Sequence, residues 1–262
     1  MEPYMLECCV DSVESAMEAE KGGADRLELC AALVIGGISP GLALFEEVRK
    51  CCGLPVRVLL RPRFGDFLYT EHEFELLRKE VALFREKGAD GVVIGCLKED
   101  GSLHMEQMRE LIREAGSMKI TLHRAFDVCA EPMRVYGQAG ELGIDTILTS
   151  GQRENCLAGM PLLKELSKLR QRTGGPQIMA GAGVTPDVIR TFLEETDITA
   201  YHLSAKKTMD SGMRYRREGV PMGLPSLSEY TIYRTDSRVV AEAKRILTVS
   251  YTHLRAHETV LD

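Results

Sequence analysis

The sequence predicts a single closed (β/α)8 barrel of the TIM type, on a repeat and a length. The repeat is a glycine, a small or apolar residue and an aspartate running into a strand-like apolar stretch. It occurs at Gly23-Ala24-Asp25, Gly88-Ala89-Asp90 and Gly143-Ile144-Asp145, with Asp197-Ile198-Thr199 a looser fourth copy. Glycine most easily takes the left-handed position that closes a helix, so each copy marks a helix stop followed by a buried strand. Gly23 to Gly88 is 65 residues and Gly88 to Gly143 is 55. That interval is too long for one helix–strand pair and right for two, so a four-fold repeat implies eight strands and eight helices. The chain of 262 residues, 44% of them hydrophobic, fits a barrel of roughly 250 residues with a real core.

Each element has its own signal. Strands are predicted at 4–9, 55–61, 119–124 and 177–181, and in the repeat stretches ending at Cys30, Gly95, Ser150 and Ser204. The first helix is predicted from the capping box Asp11-x-x-Glu14, the third from Thr70-x-x-Glu73 with Phe74, Leu77, Val81 and Phe84 on one face. Ser39-Pro40 and Thr185-Pro186 each place a proline behind a capping hydroxyl. Leu162, Leu163, Leu166 and Leu169 mark a later helix, and Val239, Val240, Ala243, Ile246 and Leu247 the last. Strict alternation gives parallel pairing through right-handed crossovers. A doubly wound open sheet is the rival, but no Gly-x-Gly-x-x-Gly follows the first strand.

Two segments break the rhythm. Lys206 to Thr235 is a long polar stretch between the eighth strand and the last helix, predicted to be a lid or binding loop at the C-terminal mouth. Residues 250–262, with His253 and His257 at a metal-ligand spacing but no flanking glutamate, share no periodicity with what precedes them. They resemble translated adapter sequence, so the barrel domain is read as 1–249 and 250–262 as a non-native tail.

The composition excludes several classes. A net charge of −6 without a long run of one sign argues against nucleic acid or anionic membrane as partner. No apolar segment approaches 18 residues, and the N-terminus lacks a basic region and an apolar signal core, so a cytoplasmic protein is expected. Its eight cysteines then read as thiols, and none form a Cys-x-x-Cys pair.

Strand parity locates the chemistry, because residues two apart share a face. Glu7 with Cys9, Glu28 with Cys30, and His202 with Ser204 are such pairs, while Arg61 and His123 lie at strand ends. Polar groups of this kind do not suit the apolar helix layer and are expected inside the barrel mouth. Glu7, Glu28, His123 and Asp127 are the candidate acid–base groups. Arg61, Arg63, Gly181, Gly183, His202 and Ser204 are candidates for holding an anion, the glycines through backbone N–H groups. The bland alternatives are a satisfied ion pair for the glutamates, tight-turn glycines, and an Asp127 that simply neutralises Arg124.

Ordered along the chain, Glu7-x-Cys9-Val10-Asp11-Ser12, Gly23-Ala24-Asp25-Arg26-Leu27-Glu28-Leu29-Cys30, Arg61-Pro62-Arg63, Gly65-Asp66-Phe67, His123-Arg124-Ala125-Phe126-Asp127, Thr149-Ser150-Gly151 and Asp210-Ser211-Gly212-Met213 resemble the CutC copper-homeostasis protein family. The likeness runs from about residue 4 to residue 247 and departs at Cys8, Phe64 and Ala182. It implies one TIM barrel, a cytoplasmic homo-oligomer, and Cu(I) bound through Cys9 and Cys30. Soft thiolates do select Cu(I), and Cys129 and Cys156 are expected on the same face, able to join or relay the metal. Cys51 and Cys52 are read as structural, Cys8 and Cys96 as small buried hydrophobes. The glutamates, arginine and histidines are not what a copper site needs. Two functions are therefore expected in competition: copper homeostasis through thiols, or an enzyme acting on a small anionic metabolite, such as a phosphorylated one.

Overall fold

The computed structural model describes residues 4–217, 219–224 and 226–258, with side chains described as far as residue 250. Eight parallel strands close into a barrel: β1 (Met5–Val10), β2 (Arg26–Leu29), β3 (Val56–Leu59), β4 (Gly91–Ile94), β5 (Lys119–Leu122), β6 (Thr146–Thr149), β7 (Gln177–Ala180) and β8 (Ala200–Leu203), the last pairing with β1. The helices around it are α1 (Val13–Lys21), α2 (Leu42–Cys51), α3 (Glu71–Glu86), α4 (Met105–Ala115), α5 (Pro132–Glu141), α6 (Met160–Thr173), α7 (Pro186–Glu195) and α8 (Ser237–Glu258). The predicted (β/α)8 barrel is the observed one.

The repeat has a physical cause. Gly23, Gly88 and Gly143 all adopt positive φ, at 85°, 77° and 71°, which a residue with a Cβ rarely tolerates. The aspartate two residues later grips the neighbouring strand at both ends of one residue. Asp25 N–H donates to the Leu6 carbonyl while its Oδ2 accepts from Leu6 N–H at 2.8 Å. Asp90 treats Val56, and Asp145 treats Ile120, in the same way. These clamps satisfy an N–H at the start of a buried strand, the first residue in β3 and the second in β1 and β5, which would otherwise be orphaned.

Alternation divides the core. Leu6, Cys8, Val10, Leu27, Leu29, Val56 and Val58 face outward and pack with the helices. Inside, Cys30, Leu59 and Val93 form one small apolar cluster and Leu148, Met179 and Ala200 another. Between them Glu7, Arg26, Glu28, Arg57, Thr121, His123 and Thr146 are buried polar groups.

Several local expectations are corrected. The cap of α1 is Ser12, whose side chain accepts from Ser15 N–H, and Asp11 instead accepts from Leu33 N–H. The β2–α2 segment caps at Gly41, not Ser39; the Ser39 hydroxyl instead accepts from Arg61 N–H and donates to Glu80. The Thr70–Glu73 box and the Thr185 cap with Pro186 are as expected. The segment 206–235 contains β9 (Lys206–Asp210) and β10 (Thr231–Thr235), an antiparallel pair tied to α1 where Thr235 N–H donates to Ser15 Oγ. The helix α8 continues to Glu258. His253 and His257 have side chains outside the described residues, and so do residues 259–262 altogether.

Candidate active site in the barrel mouth

A cavity of about 730 Å³ opens at the C-terminal ends of the strands, within the range of small-molecule sites. Cys9, Glu28, Arg61, His123, His202, Ser204 and Gly183 line it, together with Arg124, Asp127 and Phe67. Parity delivers Cys9, Glu28, Arg61, His123, His202 and Ser204 at or just beyond their strand ends, while Phe67, Arg124, Asp127 and Gly183 come from the loops that follow.

The floor of the cavity is a charge network. Glu7 is fully buried, with Oε2 accepting from Arg26 Nε at 2.5 Å and Oε1 bonded to His202 Nδ1 at 2.8 Å. Burial alone would raise its pKa, but Arg26 and His202 outweigh burial and hold it at about 2. Glu7 is thus an ionised anchor with both oxygens engaged. Glu28 differs: burial dominates, and its pKa rises to about 7 even though His202 opposes the shift. Its Oε1 lies 4.0 Å from His202 Nε2, and its Oε2 has no partner among the described residues. Burial works against charge on His202, yet Cys9, Glu28 and Glu7 around it overcome that and raise its pKa well above the usual value. Arg57 lies below, donating to Thr121 and Thr146.

His123 is the opposite case. Burial, reinforced by the Arg61 charge, lowers its pKa to about 3, so the ring is neutral. Its Nδ1 accepts from Ala125 N–H at 3.1 Å, which puts the ring proton on Nε2. That Nε2 is buried and has no partner among the described residues. Gly95 makes the space: a Cβ there would lie 2.7 Å from the ring carbon Cε1. Phe67 packs on the ring with centroids 4.7 Å apart, and the Arg61 guanidinium lies 5.0 Å over the same Phe67 ring. Arg61 donates from Nη1 to Gly37 O and from Nη2 to Gly65 O, and its buried Nε has no partner among the described residues.

The remaining candidates have other neighbours. Asp127 accepts from Arg124, Thr149 Oγ1, and the backbone N–H groups of Ser150 and Gln152, so it holds the β6 loop. Arg63 pairs with Glu73 and Asp66, supports its own loop and does not line the cavity. Gly181 passes so close to Leu148 that a Cβ would lie 2.4 Å from its Cδ1. Ala182 and Gly183 both have positive φ, at 67° and 76°, and lead to the N-terminus of α7 on the cavity wall. Ser204 lines the cavity while its carbonyl accepts from Thr235 Oγ1.

The thiols do not form an obvious pair. Cys9 lines the cavity, whereas Cys30 packs between Leu59 and Val93 with its thiol donating to Val10 O at 3.6 Å. Burial, with Cys9 and Glu28 nearby, drives the Cys30 pKa far above the ordinary thiol range, which opposes the thiolate a metal needs. Burial also lifts Cys129 and Cys156 to about 11. The donor atoms of Glu7, Glu28 and His202 do lie within 4.8 Å of one another. They are mainly hard oxygens, a poor match for Cu(I), and Arg26 already supplies the positive charge beside Glu7.

Sequence reasoning missed Arg26, Arg57 and Phe67. The two arginines carried the right signal, since 26, 28 and 30, and 57, 59 and 61, share one parity. Phe67 acts from a loop and had none.

A family model described as the CutC family matches residues 4–207. The chain belongs to the CutC family. It is 44% identical over 245 residues to a CutC family protein of Sodalis glossinidius, covering 93% of this chain and 96% of that one. It is 41% identical to the human "Copper homeostasis protein cutC homolog", covering 93% and 90%. Among solved structures, a Streptococcus agalactiae protein titled as a putative copper homeostasis protein CutC superposes with a TM-score of 0.72 at 25% identity, over 77% of this chain and 98% of that one. A thiamine phosphate pyrophosphorylase of Pyrococcus furiosus shares the fold, with a TM-score of 0.55 at 16% identity over 94% and 96%.

Proposed function

We propose that this CutC-family chain is an enzyme of acid–base chemistry on a small anionic metabolite held in the barrel mouth. The observation that carries this reading is the division of labour between the two buried glutamates. Glu7 is locked and ionised, while Glu28 faces the cavity with an unpartnered oxygen and a pKa near 7. Two like groups with pKa values pushed apart are the mark of assigned acid and base roles. Glu28 is the proton-transfer group, and it stands beside the Arg26–Glu7–His202 network. Arg61, Arg124 and the N-terminus of α7 make the wall electropositive, which suits phosphate or carboxylate. In a thermal-shift screen, bound ligand raises stability with the logarithm of its concentration over its Kd. Phosphorylated and carboxylated metabolites should shift the wild type, and Arg61→Met should lose that shift. A panel that moves neither protein sinks the reading.

A second reading is copper homeostasis, supported by the printed names of the human and mouse relatives and by Cys9, a thiol on the cavity wall in contact with His202. On it, Cu(I) is cargo taken by Cys9 and His202. Cu(I) competition titration under reducing conditions tests it: Cys9→Ser should abolish stoichiometric binding. The cytoplasmic site and the homo-oligomer expected from the sequence belong to the proposal on either reading.

A further inference from the structure

We propose that the ligand of this cavity carries a carbonyl-type oxygen, seated on the Nε2–H of His123 and the Nε–H of Arg61, and that the reaction is proton transfer at the adjacent carbon. This deepens the enzyme reading above and rests on it. The His123 donor is fixed by geometry. Ala125 N–H occupies Nδ1, so Nε2 must carry the hydrogen, and His123 is only 4% exposed. A buried N–H without an acceptor costs roughly 1–3 kcal/mol. Such a group persists where it awaits something the protein itself does not provide. Gly95 and Phe67 hold the imidazole from two sides, so it is positioned and not merely tolerated.

The second donor packs on the same aromatic ring. Arg61 packs on Phe67, its two Nη groups are tethered to loop carbonyls, and its Nε–H is left over. Both residues line the cavity, as does Glu28, whose Oε2 is the unpartnered buried acceptor. The inventory is two N–H donors and one carboxylate oxygen, the set that enolisation requires. In that step the carboxylate of Glu28 takes the proton from the carbon beside the carbonyl. The C–H electron pair becomes the new C=C bond, and the C=O π pair moves onto oxygen, where the two donors stabilise it. Returning the proton from Glu28 to carbon closes the cycle without any co-reactant. A neutral imidazole suits this role, because it donates without surrendering its proton to the oxyanion. The low pKa of His123 agrees with it.

The test compares two probes with one phosphate each: phosphoglycolohydroxamate, which is planar and carries a carbonyl oxygen, and glycerol 3-phosphate, which has a tetrahedral hydroxyl instead. Calorimetric titration of the full chain should show the hydroxamate binding about tenfold more tightly, in line with the loss of a buried hydrogen bond. His123→Leu should bring the two within about twofold, and His123→Gln, which keeps an N–H, should retain part of the preference. In the wild type, 15N NMR should show His123 protonated at Nε2 and that signal moving with hydroxamate. This arm stands even if the leucine variant does not fold. Equal binding of the two probes, or a preference surviving in His123→Leu, overturns the inference and leaves anion binding intact. Binding of neither probe overturns the enzyme reading and the inference with it.

Discussion

Glu7 and Glu28 sit on adjacent strands inside one barrel, yet their neighbours set them in opposite regimes. Arg26 and His202 take both oxygens of Glu7; Glu28 keeps one oxygen without a partner among the described residues. The difference has a pH consequence. Glu28 has a folded pKa near 7, raised from 4.5, so the folded state holds a proton that the unfolded chain has released. Its stabilisation is therefore complete below the unfolded pKa and is lost as pH rises through about 7. His202, Glu7, Arg26 and Arg57 face it and are common to wild type and variant. Glu28→Gln is neutral throughout, so its unfolding free energy should fall less steeply between pH 5 and pH 8, by roughly 2 kcal/mol at 1.36 per pKa unit. Denaturant titrations at both pH values check this; parallel slopes for the two proteins contradict it. The thiols make a second comparison at this scale. If Cu(I) is bound at all, Cys9→Ser should weaken it by more than tenfold, whereas Cys30→Ser should change it less than threefold because Cys30 faces apolar neighbours. Competition titration with a Cu(I) chelator reads both.

Among elements, the repeated aspartate is the most informative unit. Asp90 accepts from Val56 N–H at 2.8 Å and its own N–H donates back to Val56 O. Asp90→Ala leaves the first N–H of β3 unpaired, and should cost about 1.5–3 kcal/mol of unfolding free energy. A loss below about 0.5 kcal/mol would show that water replaces the clamp. The same element explains what sequence could deliver. A glycine stop and an aspartate clamp are local features, so eight strands were legible, and parity then put Glu28, His123 and His202 in the mouth. What escaped depends on contacts between distant segments. Asp127 looked like a base because the β6 loop that occupies it, Thr149 to Gln152, lies more than twenty residues away. Parity also cannot show that Cys30 packs with Leu59 and Val93. The Asp11 and Ser39 caps were misplaced because each side chain answers to a different loop, Leu33 and Arg61 respectively.

For the whole molecule, the core and the mouth are separable. The buried stripe of α8 among the described residues is Val240, Ala243, Ile246 and Leu247, and Val249 is already 46% exposed. Removing residues 250–262 should therefore leave the melting temperature within about a degree. A drop of several degrees would make that segment part of the fold. The mouth is a polar cavity on a rigid barrel, in a family whose human and mouse members are named for copper, and the donor set favours an organic anion over the metal. Mass-spectrometric and elemental analysis of protein purified under reducing conditions without added metal decides between them most directly. The account predicts an anionic organic molecule released on denaturation, with copper far below one equivalent. Stoichiometric copper with no co-purified small molecule would contradict it.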